Sequence, residues 1–306
     1  LQNLLKNYMT KLYKLSIILW DLINRYLLFM LSNLYWNNLL CLIQSLRHKN
    51  SFYWLNHKKY TTFSEFISYL KFSKETDFQK LAHYADKCIV KLKLMEFIPE
   101  KYIIPTLFEL TDPEDLRNIS IDKPIVLKLN TGSGKNFILN EGLNKSNLDA
   151  IIKSFNFSLK INEYIFSREL HYSKISPKIL AEPIIANNPQ DYKIFFFKGE
   201  EKVIQVDTDR FINHKRNFYD LEWNLLPITQ IYDNDKNILP KPSKLDEMIK
   251  IGRKIVSKEN FEFARIDFYE VLGVVYFGEI TFFPGGGIEL FKNKQMDKIM
   301  FNLICE

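Results

Sequence analysis

Cysteine is nearly absent from this chain. Cys41, Cys88 and Cys305 are its three examples, too few and too far apart for a disulfide framework, and no Cys-x-x-Cys pair exists to hold zinc. Free thiols in a reducing compartment are the simplest reading. The five histidines (His48, His57, His83, His171, His214) are scattered, without His-Glu-x-x-His spacing, and no Gly-x-Ser-x-Gly elbow is present. Zinc hydrolysis and a serine nucleophile therefore lack support. No helix-turn-helix, zinc-finger or RNP pattern appears, so the formal charge of +6 does not single out nucleic acid. It suits smaller anions such as nucleotides and sugar acids, or a lipid surface. Internal repeats and low-complexity linkers are missing too. With 306 residues, 46% hydrophobic and 25% charged, the chain has the balance of an ordinary soluble protein with a core in two or three lobes.

One stretch lacks charge of either sign. From Tyr26 to Leu46 no residue is charged, and Arg47, His48 and Lys49 follow. Its length alone would span a bilayer, but Ser32, Asn33, Asn37, Asn38, Gln44 and Ser45 lie within it, and amides are costly in hydrocarbon. It is too long for a signal peptide and shows no small-residue cleavage site. Two readings of residues 1–48 stay open. One is a pair of helices packed on the main body or on a second copy. The other is a helix lying in a membrane interface, anchored by Trp20, Tyr26, Trp36 and flanking Lys and Arg.

Past this region, Thr61 or Thr62 caps a helix through Glu65, and a second helix is expected from about Asp77 to Met95, carrying Asp86-Lys87. Tyr102 to Leu110 reads as a strand, and Pro113 to Asn118 as a short helix or turn capped by Asp112. An apolar strand from Pro124 to Leu129 leads into Asn130-Thr131-Gly132-Ser133-Gly134-Lys135 and a further strand through Leu139. This is not a Walker A loop: the first glycine is missing and Asn136 follows the lysine. Its glycines still let backbone N–H groups turn toward phosphate oxygens, with Lys128 as an added point charge. A plain hairpin turn is the competing reading. Residues 179–210 read as a meander of antiparallel strands, and residues 213–242 as polar and aromatic turns. Ser243 caps an amphipathic helix through Ser257, and a closing helix runs from about Lys294 to Ile304.

Two runs near the C-terminus carry the most chemistry. Phe263 to Glu270 and Val274 to Phe283 are rich in β-branched and aromatic residues and return through Leu272-Gly273. Side chains alternate along strands, so Arg265 and Asp267 share one face of the first, and Glu279 and Thr281 share one face of the second. An odd loop, such as Leu272 to Val274, sets Asp267 opposite Glu279; a two-residue turn puts them on opposite faces. Two adjacent carboxylates in an apolar sheet repel and lose hydration. A hard cation such as Mg²⁺ relieves both penalties and commonly shares its ligand shell with phosphate. A hairpin whose acidic side merely faces water is the alternative, but it leaves Arg265 and Gly285-Gly286-Gly287 after Pro284 without a role.

In order, these phrases resemble the ATP-grasp superfamily, and within it the TupA-like branch associated with teichuronopeptide synthesis. They are Ala85-Asp86-Lys87, Val126 to Gly134, Asp191-Tyr192-Lys193, Phe218-Tyr219-Asp220-Leu221-Glu222-Trp223, and Phe277 to Gly287. The resemblance covers roughly residues 60–290. It implies an α+β, ATP-grasp fold: two α+β lobes clasping ATP, with a helical N-terminal extension over 1–58. Residues 59–122 would form the N-terminal helical part, 123–188 the lid, and 189–306 the C-terminal part with the metal site. Carried over residue by residue, Lys87 and Lys128 bind phosphates and Thr131, Gly132, Ser133 and Gly134 form the loop over them. The hinge at Glu182, Pro183 and Ile184 receives adenine, and Asp191 meets the ribose hydroxyls. Asp267 and Glu279 hold Mg²⁺. Thr281 stands where many ATP-grasp enzymes have Asn. Arg265, with Lys128 and Lys193, would act on the transferred phosphate and acyl intermediate, while Arg210 and Gly285 to Gly287 would line the substrate site.

The implied chemistry is carboxylate activation: the γ-phosphate of ATP passes to a carboxylate, and an amine then displaces phosphate from the acylphosphate to leave an amide. Such transfer needs charge compensation rather than a covalent nucleophile. The expected partners are an acidic sugar or polysaccharide precursor and an amino acid or other amine, with membrane-surface association through residues 1–48, no nucleic acid, and oligomeric state open. The expected place is the cytoplasm, at the inner face of the membrane. A phosphotransferase on the same scaffold and a non-catalytic nucleotide- or glycan-binding component are the alternatives.

Overall fold

In a computed structural model of the chain, the described residues are 33–56, 59–132, 136–143, 145–160, 164–187, 189–208 and 213–306. The expectations for residues 1–32, including anchors Trp20 and Tyr26, lie outside them. So do Ser133, Gly134 and Arg210.

Two antiparallel sheets organise the fold. The smaller has strand order β1-β4-β2-β3, built from β1 (Phe108–Leu110), β2 (Ile125–Leu129), β3 (Asn136–Leu139) and β4 (Ile179–Pro183). Helix α5 (Lys145–Ser158) covers one of its faces. Leu148, Ile151, Ile152 and Phe155 project from α5 at helical spacing and meet Ile125, Leu127, Leu129, Ile179 and Ala181, which alternate inward from their strands. The larger sheet has order β7-β6-β5-β8-β9, from β5 (Asp191–Phe197), β6 (Glu200–Thr208), β7 (Lys215–Tyr219), β8 (Phe263–Val271) and β9 (Val274–Thr281). The expected meander over 179–210 is therefore split: β4 pairs in the small sheet, and β5 opens the large one. The strand β7 lay hidden in a segment too polar to read as one.

Helix α6 (Leu245–Glu259) packs on the largely apolar face of the large sheet, where Gly252 lets it approach Phe196 and Arg253 pairs with Glu201; a Cβ on Gly252 would come within 2.2 Å of the Phe196 ring. On the other face, α2 (Phe63–Phe72) and α7 (Lys294–Cys305) cover one end of the strands. Phe63 meets Phe195 and Phe263 edge-on at 5.9 and 5.8 Å, and Phe66 meets Phe197 at 5.8 Å. The other end of that face holds the ionic side chains taken up below.

Local chemistry explains where the helices break. Thr62 caps α2, its hydroxyl accepting from the Glu65 N–H at 3.2 Å, while the Glu65 carboxylate reaches back to the Thr61 N–H at 2.8 Å. The single helix expected over 77–95 is two, α3 (Phe78–Ala85) and α4 (Ile89–Met95). Asp86 is the reason. Its backbone closes α3, and its Oδ1 accepts from the Cys88 and Ile89 N–H groups at 2.8 and 3.3 Å, opening α4. The strand expected over 102–110 shortens to β1: Tyr102 ends a 3₁₀ turn, and Ile103 bridges to Phe277 in the other sheet. Ser243 does not cap α6; its hydroxyl donates to Glu270. Helix α1 (Asn33–His48) lies against α2 and the triple glycine.

Candidate active site

Register in the large sheet gathers the charged residues. Asp191 faces Asp207 across β5–β6, Lys193 faces Asp267 across β5–β8, and Asp267 faces Glu279 across β8–β9. Their neighbours two residues along, Arg265 and Thr281, form the adjoining pair. Lys193 donates to Asp267 Oδ2 at 2.5 Å and to Asp191. Arg265 grips Asp267 with two bonds, Nε to Oδ1 at 2.8 Å and Nη2 to Oδ2 at 2.9 Å, and Nη2 also donates to Thr281 Oγ1 at 3.1 Å. Burial works against the charge on Lys193, but Asp191 and Asp267 outweigh it and its pKa is raised. Burial likewise opposes the Glu279 carboxylate, yet Lys87, Lys193 and Arg265 pull it from the ordinary 4.5 down to about 2.

The pairing of Asp267 with Glu279 is reached by a different route from the odd loop expected. The turn has two residues, Leu272 at φ 51° and Gly273 at φ 76°, both left-handed as a tight hairpin turn needs. Such a turn alone pairs Asp267 with Gly278. A bulge corrects it: Phe268 pairs with Phe277 and Asp267 with Glu279, leaving Gly278 as the extra residue. A Cβ on Gly278 would sit 3.0 Å from the Asp267 carbonyl oxygen and 3.1 Å from Tyr269.

The lysines come from the other side. Lys87 sits in the break between α3 and α4 that Asp86 creates. Its Nζ lies 3.2 Å from Glu279 Oε2 and donates to the Gly132 carbonyl at 2.7 Å, so one ammonium joins the acid pair to the glycine loop. Asn130 locks this arrangement, donating from Nδ2 to Asp86 at 2.9 Å and accepting the Lys178 N–H at 2.7 Å. Lys128, on β2, is 2.6 Å from Glu182 on β4, a diagonal contact, since Glu182 itself lies opposite Val126. The second oxygen of Glu182 takes Lys91 at 2.5 Å. Burial would raise the Glu182 pKa, but the two ammonium groups lower it.

Other predicted residues are placed as follows. Thr131 is buried, and Gly132, at φ 65°, offers its carbonyl to Lys87. Pro183 ends β4 opposite Ile125, and the Ile184 N–H is already used, donating to the Pro124 carbonyl at 3.3 Å. Gly285, Gly286 and Gly287 all have positive φ, which a Cβ would strain. Lys71 is fully buried beneath them and donates to the Gly286 carbonyl and to Asn37 Oδ1, the latter at 2.6 Å. Burial lowers its pKa to about 8.

Lys71, Lys91 and Asn130 were not anticipated, nor was Arg216. Lys91 stands four residues after Lys87, a spacing that puts both on one helical side, and that signal was readable. Arg216 was not, since β7 was not expected as a strand: the arginine faces Asp207 across β6–β7 at 2.7 Å and reaches the remote Glu289 at 3.1 Å.

The profile of the family described as TupA-like ATPgrasp matches residues 65–305, most of the chain. The chain belongs to the TupA-like ATP-grasp family. No curated protein matches it. Among solved structures, it is similar to D-alanine–D-alanine ligase from Bacillus anthracis complexed with ATP: 18% identity, 68% of this chain and 56% of that one, TM-score 0.41. L-amino acid ligase from Bacillus licheniformis gives 15% identity over 68% and 45%, TM-score 0.41. The ATP-grasp ligase PsnB, complexed with minimal precursor, Mg and ADP, gives 9% over 65% and 50%, TM-score 0.38. The TupA-like chain thus spans about half the length of these proteins.

A metal in this ATP-grasp site must suit the donors present. Among the described residues no group of three or more His, Cys, Asp or Glu is arranged to hold an ion. Asp267 and Glu279 are two opposed carboxylates with a hydroxyl, Thr281, on the same face. That set fits a hard cation that takes its remaining oxygens from phosphate, not a cage built by protein alone.

Proposed function

We propose that this chain is an ATP-dependent carboxylate–amine ligase that forms an amide through an acylphosphate. The observation that carries the reading is the facing pair Asp267 and Glu279, with Lys87, from the break between α3 and α4, 3.2 Å from Glu279. Family membership supports the ATP-grasp chemistry, and the named structural likenesses are ligases.

In this reading residues 123–188 form the lid, residues 189–306 carry the acids, and residues 59–122 lead into them. Lys87 and Lys128 hold phosphate oxygens, with Thr131 and Gly132 folded over them. Glu182 positions Lys128, leaving the hinge at Pro183 and Ile184 to meet adenine, and Asp191 takes the ribose. Mg²⁺, held by Asp267 and Glu279 beside Thr281, supplies neutralisation of the phosphate charge. Arg265 orients Asp267 through its two hydrogen bonds, and its guanidinium steadies charge on the acyl group. Lys193 holds Asp191 and Asp267 at a fixed separation. The turn at Gly285 to Gly287 lets the backbone approach the acceptor. A closed cleft with fixed cations lowers the barrier without a covalent enzyme intermediate.

The carboxylate we assign is a uronic acid of a surface polysaccharide, and the amine an amino acid or related compound, in the cytoplasm where ATP is available. The basic balance of the chain suits an acidic glycan. ADP release measured over a panel of uronic acids and amino acids tests this directly. An amide product identified by mass supports the reading. ADP formed with a phosphorylated sugar and no amide would make the protein a phosphotransferase, and no acid-dependent ADP from any pair would end the enzyme reading.

A further inference from the structure

The buried side of helix α1 mixes apolar and amide side chains. Trp36, expected as a membrane anchor, is instead enclosed there with Cys41. Beside them Asn37 Oδ1 accepts from Lys71 at 2.6 Å, Asn37 Nδ2 donates to Ser68 at 2.8 Å, and Asn38 Oδ1 accepts from the Leu55 N–H at 2.8 Å. The outward side carries Tyr35, Leu39, Ile43 and Leu46, spaced by four, four and three residues into one stripe. Leu46 is 73% exposed and Tyr35 55%. Trp54, 53% exposed, lies edge-on to Tyr35 with ring centres 6.2 Å apart and widens the stripe. The polar contacts that hold α1 in place would be made equally well with serine at the outward positions, so the fold does not account for the stripe.

Charge indicates what does. The first 49 residues hold six Lys or Arg and one acid, Asp21, while the remaining 257 hold 36 basic and 35 acidic side chains. Nearly all of the chain's net positive charge therefore lies in the segment that also carries the stripe. Arg47, His48 and Lys49 close the helix at its C-terminal end. An apolar stripe with aromatic rings and a basic border suits an anionic lipid surface, where rings sit at headgroup level and lysines meet phosphates. No helix among the described residues is long and apolar enough to cross a bilayer.

We propose that the outer face of α1, with Trp54, docks the protein on anionic membrane surfaces, the helix lying in the interface plane. The inner face of the same helix touches the triple glycine, with Cys41 Sγ 3.9 Å from the Gly287 carbonyl. Docking thus leaves one helix, about 10 Å thick, between lipid and that turn. Where the turn serves the acceptor, as the ligase reading has it, a lipid-linked acceptor is the substrate that benefits.

Co-sedimentation of the full chain with vesicles tests the docking without reference to activity. Vesicles of phosphatidylglycerol and phosphatidylcholine should bind it at least about tenfold better than phosphatidylcholine alone, with the difference shrinking in high salt. Combined Leu39→Ser, Ile43→Ser and Leu46→Ser should cut partitioning at least about tenfold, with unchanged Tm. Arg47→Ser with Lys49→Ser should cut it on anionic vesicles only. Equal binding to both vesicle types, no binding, or unaltered binding by the triple variant overturns the proposal. So does a Tm loss of several degrees in that variant, which assigns the stripe to residues 1–32 of the same chain. Dissociation of a dimer in light scattering assigns it to a second copy. ADP release by the variants should match the parent, so failure here leaves the ligase reading standing.

Discussion

One face of the large sheet holds two unlike regions a few residues apart. Along β5, Asp191 and Lys193 precede Phe195 and Phe197; along β8, Tyr269 and Asp267 give way to Arg265 and Phe263. The aromatic end is covered by α2 and α7 and is dry. The ionic end instead faces Lys87. Alternation places all these side chains on the same face, so alternation cannot distinguish core from site. What distinguishes them is which end another element reaches. A buried carboxylate is tolerated only with cations beside it, and here each acid has one: Lys193 and Arg265 for Asp267, Lys87 for Glu279.

The two ends should fail differently. Glu279→Gln removes one of the two facing acids from the ionic end, and on the ligase reading ADP formation should fall by about 10³-fold with the far-ultraviolet circular dichroism unchanged; turnover within tenfold of the parent would remove Glu279 from the site. Phe195→Ala empties a buried aromatic position at the other end and should cost about 3–5 kcal/mol of unfolding free energy, read by urea denaturation. A cost under 1 kcal/mol would mean that the aromatic end is not core.

Acid sharpens the contrast. The Glu279 carboxyl sits at about 2 in the folded chain against an ordinary 4.5. Its contribution is therefore fully present above pH 4.5 and is lost as pH falls from there to about 2. The shift is worth at most about 3 kcal/mol, less for its partial exposure. Calorimetry of parent and Glu279→Gln between pH 6 and pH 3 should show a steeper fall in Tm for the parent; parallel curves would refute the electrostatic origin. Smallest of all, Gly278→Ala crowds the bulge and should cost about 1 kcal/mol. It should also weaken Mg²⁺-dependent ADP formation, because Glu279 can no longer sit squarely opposite Asp267. An alanine variant with unchanged stability and activity would show that the register does not need the bulge.

Much of this was legible before any coordinates. The strands around Arg265 to Gly287, the caps at Thr62 and Asp112, and the family itself follow from local patterns of residue type and spacing. What was missed depends on which groups find partners after folding. The bulge at Gly278 and the strand β7 are set by the strand beside each, and Arg216 takes Glu289 from far along the chain as well as Asp207 from the facing strand. The break at Asp86 is local, made by the Cys88 and Ile89 N–H groups on its carboxylate. A glycine inside a strand pattern is a bulge signal, but only the neighbouring strand says whether it is used.

By itself the sequence determined which residue types would line each strand face and which chemistry they permit, since side-chain direction and charge are properties of short segments. Only tertiary structure decided that Lys87 reaches Glu279 and that β4 leaves the meander for another sheet. It alone decided, too, that α1 turns Asn37 and Asn38 inward and Leu39 and Leu46 out. Those outcomes rest on which surfaces compete for burial and which buried polar groups find partners, a balance struck among segments far apart in the chain.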